Sequence, residues 1–397
     1  MSDLKNPVLE AVNDVLEDTI RLNDVGNVHL RGKGEVAELE KRLRQHYGMK
    51  YAVCVSNATT GLFGIALALD LQGDEFITTP LTYGATVASW LLLGCRPVFA
   101  DVEPDTLTLD PCSVERCITP ETKAIIAVDL FGMPCDMSAL RNVADEAGIW
   151  YIADAAQSFG AYRNGCPASS SADVLVVSFT SGKALYAGEG GAVITNNREV
   201  YERILWFTQH PERQRIELGL RVYNEFGING RIHPLAAQWA TRTFESALHG
   251  VEAHRNRCLQ LTRLLNELAI TELTPCFENR GIYPSFTRLT GRWKDVERSE
   301  QLSRDLLARG KEVIISKPPV QLLYEQSAYI DQYGSSTRSQ YNCPVAETQI
   351  RRLFCLDLRY NNWGSGFQHA DPGEYERSNN DKGILDNSHS RGNRFWY

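Results

Sequence analysis

The residues best suited to covalent chemistry lie in SFTSGKALYAGEGGAVITN, residues 178–196. A lone lysine, Lys183, follows an apolar run that ends at Phe179 and enters a loop holding Gly182, Gly188, Gly190 and Gly191. Glycines let a backbone approach a ligand closely. A lysine held there among apolar neighbours loses solvation, which pushes its amine toward the neutral, nucleophilic form that attacks a carbonyl carbon. The same letters also read as a surface lysine in a glycine hairpin.

The segment IWYIADAAQSFGA, one βα unit upstream, weighs against that plainer reading. Asp154 closes an apolar run, and the mouth of a covered strand is where ligands collect in open α/β sheets. An acid buried there needs a cationic partner, and a protonated pyridine nitrogen is one. Gln157 stands where it can hydrogen-bond a phenolate oxygen on the same ring. Alternatively, Asp154 caps the N-terminus of a following helix. Further upstream, CVSNATTGLFGIALAL runs through the small polar turn Asn57-Ala58-Thr59-Thr60 into a helix. Backbone N–H groups and hydroxyls at a helix start suit a phosphate, although every βα unit makes such a turn. In TPLTYGAT, Tyr83 follows a strand end, free to stack on a flat heteroaromatic ring or to pack as a core tyrosine.

The elements that must position these groups are legible as alternating runs. YAVCVS (51–56), EFITTP (75–80), PVFADV (97–102), KAIIAVDL (123–130), IWYIAD (149–154), VLVVSF (174–179) and GAVITN (191–196) read as strands. Several are apolar throughout, as strands covered on both faces are. GLFGIALALDLQ, ATVASWLLLG and MSALRNVADEAG between them read as helices. Together they predict an α/β large domain with a mostly parallel sheet flanked by helices. After Pro234 a long helical stretch leads into shorter mixed elements, which predicts a smaller C-terminal α+β domain. The expected division is 1–250 for the N-terminal arm and large domain, 251–360 for the small domain, and 361–397 for a polar, poorly ordered tail.

Composition narrows the function classes. The 41 basic and 49 acidic residues give a net charge of −8 without long runs of one sign, which argues against a nucleic-acid partner. No stretch reaches the roughly 20 apolar residues of a membrane span. The acidic, amphipathic N-terminus lacks the pattern of a signal peptide, so a cytoplasmic location is expected. Ten cysteines lie scattered without zinc spacing, so they read as reduced, Cys54 and Cys95 as core packing, and no metal is expected.

Five motifs in order, N-A-T-T-G-L, T-Y-G-A-T, D-A-A-Q-S-F-G-A, S-F-T-S-G-K-A-L-Y-A-G-E-G-G-A and N-G-R-I-H-P-L-A-A, resemble those of the DegT/StrS-type sugar aminotransferases, which are fold type I enzymes dependent on pyridoxal 5′-phosphate (PLP). The resemblance runs from about Gly32 to Ala237 and continues more loosely through CPVAE (343–347) and LFCLDL (353–358). It implies that Lys183 carries the cofactor as a Schiff base and shuttles the proton, and that Asp154 holds the pyridine nitrogen protonated. It further implies Tyr83 on the ring face, Gln157 beside its oxygen, and Ala58, Thr59 and Ser178 around the phosphate. Asn229 matches the residue that reaches the phosphate of a neighbouring subunit, so a homodimer with shared active sites is implied. Arg231 beside it, and His210 in the loop region 208–228, are candidates for substrate contact; His210 equally reads as an ordinary loop histidine. The region 314–324 is a second candidate for the substrate wall.

Two positions depart from the family pattern. Gly230 stands where an aromatic is common, and Phe159 where a histidine is usual. Lysine at 183, where related sugar dehydratases carry histidine, argues for amino transfer. The implied reaction moves an amino group from an amino acid, L-glutamate or L-glutamine, to a keto sugar or keto cyclitol, in pathways to antibiotics, lipopolysaccharide or other secondary metabolites. The alternatives are an eliminating or aromatising step of the aminohydroxybenzoate-synthase kind and a regulatory protein that binds PLP without turnover.

Overall fold

In the computed structural model, the structure describes residues 25–267, 271–273, 280–293, 296, 313–333 and 342–358. The N-terminal arm and the tail after 361 lie outside the described residues. Seven strands form the main sheet: β1 (Tyr51–Val55), β2 (Glu75–Thr78), β4 (Arg96–Phe99), β5 (Thr122–Val128), β6 (Trp150–Asp154), β9 (Val174–Ser178) and β10 (Gly191–Thr195). Their order is β1-β10-β9-β6-β5-β2-β4, and β10 alone runs against the rest. The sequence reading of a mostly parallel sheet holds, and each of the seven expected strands appears within three residues of its expected ends, the strand expected at 97–102 stopping earliest, at Phe99.

The apolar runs explain why this sheet is covered on both sides. In β9, Val174 and Val176 point into one hydrophobic cluster while Leu175 and Val177 point into the other. Successive side chains of a strand face opposite ways, so an unbroken run of Val, Leu and Ile feeds two cores at once. One core contains Leu62, Ile65, Trp90 and Ile204; the other contains Leu39, Leu43, Leu140 and Phe244. Full burial of each such side chain contributes about 1.5–3 kcal/mol.

The helices that supply these residues are α1 (Val25–Leu30), α2 (Glu35–Tyr47), α3 (Ala58–Ala68), α4 (Ala85–Leu92), α5 (Pro111–Cys117), α6 (Met137–Ala147), α7 (Arg198–Thr208), α8 (Pro211–Leu218) and α9 (Pro234–Glu267). Their ends follow local rules. Asp136 caps α6 by accepting from Ala139 N at 3.1 Å, and Gly148 ends it in the left-handed region at φ 66°.

Smaller sheets complete the described chain. β3 (Leu81–Thr82) pairs with β15 (Gln321–Leu322), and β7 (Tyr162–Arg163) lies between β8 (Cys166–Pro167) and β12 (Ile282–Tyr283). A four-stranded sheet of order β11-β13-β16-β14 is built from β11 (Thr271–Leu273), β13 (Leu289–Trp293), β16 (Leu353–Leu358) and β14 (Val313–Ser316). No helix among the described residues is long and apolar enough to cross a membrane.

Candidate active site

The turn from β1 into α3 is set by Asn57, whose extended backbone and side-chain oxygen, accepting from Thr60 N at 2.8 Å, cap the helix. The Ser56 hydroxyl donates to Thr60 Oγ1 at 3.0 Å. Because Asn57 occupies the Thr60 N–H, the N–H groups of Ala58 and Thr59 have no intrahelical acceptor and point out of the helix start. Gly191 makes this arrangement possible. A Cβ on it would sit 2.8 Å from Ala58 N and 2.7 Å from Val177 O, so β10 can pass under the turn only without a side chain. Ser178, 7% exposed, closes β9 beside it.

Asp154 ends β6 and is 7% exposed. Its Oδ1 accepts from Ala156 N at 3.1 Å and its Oδ2 from the Thr86 hydroxyl at 2.7 Å. No helix follows, so Asp154 does not serve as a helix N-cap; the N–H it takes belongs to a turn. Burial pushes the Asp154 carboxyl above its usual range, while the Thr86 hydroxyl, the Ala156 N–H and the charge of Lys183 pull it back. Lys183 responds in the opposite sense: burial pushes its amine down, the Asp154 charge raises it, and the Arg288 charge lowers it further. The two groups predicted to work as a pair therefore face one another electrostatically, in the partly buried surroundings that favour a neutral amine.

The Lys183 loop is fastened at its base. Phe179 N donates to Gly190 O at 2.9 Å, Ala187 N donates to Phe179 O at 2.8 Å, and Lys183 N donates to Thr180 O at 3.2 Å. Gly182 at φ 80° and Gly188 at φ 79° turn the chain where a Cβ would be strained. Tyr83, at the entry to α4, is 66% exposed, so it is not a core tyrosine. Gln157 is half-buried, and its Oε1 accepts from Phe131 N at 3.0 Å, which leaves its amide N–H groups to be directed elsewhere. Phe131 adopts φ 55°, a conformation an aromatic residue rarely takes, and thereby presents that N–H. Phe159, standing where the family pattern has a histidine, is buried and packs with its ring tilted 31° against His46 at 5.1 Å and edge-on to Phe244 at 5.2 Å.

Asn229 is exposed and Arg231 half-buried. Their loop is tied to the end of β1: Ser56 N donates to Gly230 O at 2.7 Å, and Val55 and Arg231 form an isolated bridge. A Cβ on Gly230 would lie 2.8 Å from the Thr60 methyl, so the glycine that replaces the family's aromatic is demanded here by packing against the Asn57 turn. His210 caps α8, with Nδ1 accepting from Glu212 N at 3.2 Å. Burial and the neighbouring Arg231 charge push its imidazole toward the neutral form.

Some residues at the site escaped the sequence reading. Thr86 lies inside T-Y-G-A-T but drew no attention; the available signal was its place one turn after Tyr83, where a polar residue would be buried under the helix start. Arg288 has no local signal. It arrives because Ser285 N donates to Gly132 O at 3.0 Å and the Ser285 and Thr287 hydroxyls both donate to Gln157 O.

A family model described as the DegT/DnrJ/EryC1/StrS aminotransferase family matches residues 13–362. The chain belongs to this family. DegT-family aminotransferases depend on PLP, and the residues above fit that group: a helix start with spare N–H donors, a buried carboxylate and a facing amine. Over 205 residues the chain is 41% identical to the UDP-2-acetamido-2-deoxy-3-oxo-D-glucuronate aminotransferase of Pseudomonas aeruginosa, a match spanning 51% of this chain and 56% of that one. It is 27% identical over 330 residues to the GDP-perosamine synthase of Escherichia coli O157:H7, covering 82% and 84% of the two chains. A crystal structure of DesI in the presence of its TDP-sugar product superposes with a TM-score of 0.72 at 27% identity, covering 88% of this chain and 84% of that one.

Proposed function

We propose that this chain is a PLP-dependent aminotransferase that moves an amino group from L-glutamate or L-glutamine to the ketone of a sugar or cyclitol in a biosynthetic pathway. The observation that carries this reading is the buried Asp154 carboxylate, at the end of β6, coupled electrostatically to the Lys183 amine in the loop after the neighbouring parallel strand β9. The names of these relatives give nucleotide sugars as the compound acted on or made, which favours a keto sugar as acceptor.

When bound, PLP supplies the electron sink that lets the donor's α-carbon release its proton. Asp154 accepts the hydrogen bond of the ring nitrogen. Tyr83 would lie against one ring face, and the Gln157 amide, oriented by the bond its Oε1 accepts from Phe131 N, would donate toward the ring oxygen. Ala58 and Thr59 N–H groups and the Ser178 hydroxyl hold the phosphate. Lys183 would hold the cofactor through its aldehyde carbon and, once the donor's own amine has displaced it there, the freed Lys183 amine would take the proton from the substrate α-carbon and return it on the cofactor side.

Asn229 reaches the phosphate bound in a partner subunit, so the active unit is a homodimer. The segment before it supports this. Ile216, Val222 and Phe226 are 50%, 74% and 99% exposed, apolar side chains within eleven residues of one another that a second chain would cover in such a dimer. Arg231 is the substrate-side cation, and His210 acts near it chiefly by capping the N-terminus of α8. The large PLP-binding part spans 1–250 and the small domain 251–360, with the four-stranded sheet belonging to the latter.

The test begins with the purified protein and PLP. The wild type should show the visible absorption of a lysine-bound cofactor, and Lys183→Ala should lose it. L-Glutamate should bleach that band and a keto sugar restore it. A wild type that stays colourless with PLP would end the proposal, and a band that glutamate leaves unchanged would redirect it to an eliminating or aromatising reaction.

A further inference from the structure

Behind Asp154 stands a short hydroxyl chain whose polarity the chemistry fixes. Thr86 Oγ1 lies 2.7 Å from Asp154 Oδ2, and Thr82 Oγ1 lies 2.8 Å from Thr86 Oγ1. An ionised carboxylate accepts only, so the single Thr86 proton must point at Asp154. Thr82 then has to be the donor to Thr86. All three side chains are sealed from solvent, with Thr82 at 0%, Thr86 at 2% and Asp154 at 7% exposed, so water cannot replace any member of the chain.

We propose that Thr86, backed by Thr82, is a positioning residue for Asp154: it fixes the plane of the carboxylate and keeps that carboxylate a weaker base than the nitrogen it faces. The proposal rests on the assignment of Asp154 to the cofactor's ring nitrogen. A buried carboxylate and a pyridine nitrogen compete for one proton. Burial alone favours the carboxylic acid, which would leave the ring nitrogen unprotonated and the electron sink weakened. Two hydrogen bonds oppose this, the Ala156 N–H on Oδ1 and the Thr86 hydroxyl on Oδ2, and each stabilises the anion. The Thr82 donation polarises Thr86 and strengthens its bond to the anion. Lys183 is the charged group that Asp154 faces, from the loop after β9.

The placement also links two roles on one turn. Thr86 N donates to Tyr83 O at 3.1 Å, so the residue expected on the ring face and the residue behind the ring's acid partner belong to the same helix start. Thr82 sits on β3, paired with Gln321 of β15, which holds the head of the chain.

The experiment uses the holoenzyme loaded with PLP that is 15N-labelled at the ring nitrogen, in wild type, Thr86→Val and Thr86→Ser. Valine keeps the shape and removes the hydroxyl; serine keeps the hydroxyl. The wild type should show a protonated ring nitrogen through pH 8, Thr86→Val a nitrogen that loses its proton at lower pH, and Thr86→Ser the wild-type behaviour. The glutamate half-reaction should slow roughly ten- to a hundredfold in Thr86→Val, the value of a hydrogen bond to a charged group, and recover to within about threefold in Thr86→Ser. A Thr86→Val holoenzyme with wild-type nitrogen protonation and rate overturns the role of Thr86. A wild-type nitrogen without its proton overturns the Asp154 assignment instead. Should Thr86→Val fail to fold, Thr82→Val, which removes only the outer donor, must shift the nitrogen titration in the same direction, and an unmoved titration there refutes the relay.

Discussion

The ion pair of Glu40 with Arg213 offers the sharpest quantitative test of how the site is braced. Arg213 is 1% exposed and meets Glu40 in two parallel bonds, Nη1 to Oε1 at 3.0 Å and Nη2 to Oε2 at 2.9 Å. Glu40 Oε1 also accepts from Cys54 N at 2.7 Å, while Gln209 Nε2 donates to Cys54 O at 3.2 Å. These side chains satisfy the open edge of β1, the outermost strand, just before it turns into the Asn57 cap. Gly32 crosses above, where a Cβ would fall 2.4 Å from Arg213 Nε. Arg213→Met strands the Glu40 carboxylate with one backbone donor, and breaking a buried pair in this way costs about 3–5 kcal/mol. Glu40→Gln should cost less, because Arg213 keeps Glu217 at 2.7 Å. Replacing both with methionine removes the two charges together. It leaves the Cys54 N–H and the Gln209 Oε1 that Arg213 served unsatisfied, and Glu217 with the Tyr201 hydroxyl, a loss of about 1–3 kcal/mol for each buried group, short of the sum of the singles. Urea unfolding of the cofactor-free protein at one fixed concentration, followed by circular dichroism and tryptophan fluorescence, reads all three variants. A loss under about 1 kcal/mol for Arg213→Met, or a double variant that loses the sum of the singles, would refute the reasoning.

Two further outcomes follow from the packing. His46 is held between aromatic rings with its Nε2 unpaired, and burial lowers its pKa from 6.5 to about 4. The unfolded chain therefore takes up a proton in that interval while the folded chain does not, so stability is full above pH 6.5 and falls by up to about 3 kcal/mol as pH drops toward 4. His46→Phe should flatten this part of the pH–stability curve; an unchanged slope counts against it. Gly230→Ala should cost about 1–3 kcal/mol by overpacking and weaken PLP binding through the Asn57 turn. Adding Thr60→Ser, which removes the closest opposing atom and leaves Thr208 Cβ and O at 3.2 and 3.3 Å, should restore part of both, and a double variant as weak as the single in equilibrium PLP titration would contradict the contact.

The candidate site residues could be proposed from the sequence because their signals are local. A strand end, a polar turn and a glycine loop each announce themselves within about ten letters, and apolar runs without alternation told that the sheet is covered on both faces. Asp154 and Lys183 were named from such runs, and their facing positions follow once β6 and β9 are neighbours in the parallel sheet. The tertiary structure alone decided what stands behind them. Thr86 reaches Asp154 across 68 residues, Arg213 reaches Glu40 across 173, and Thr287 reaches Gln157 across 130. Such pairs leave no periodic mark, since each partner is chosen by where the fold puts it. For the same reason the sequence could mark Gly230 as a departure from its family, while the fold explains why a larger residue does not fit: the Thr60 methyl would lie 2.8 Å from its Cβ, and Thr208 Cβ and O 3.2 and 3.3 Å away.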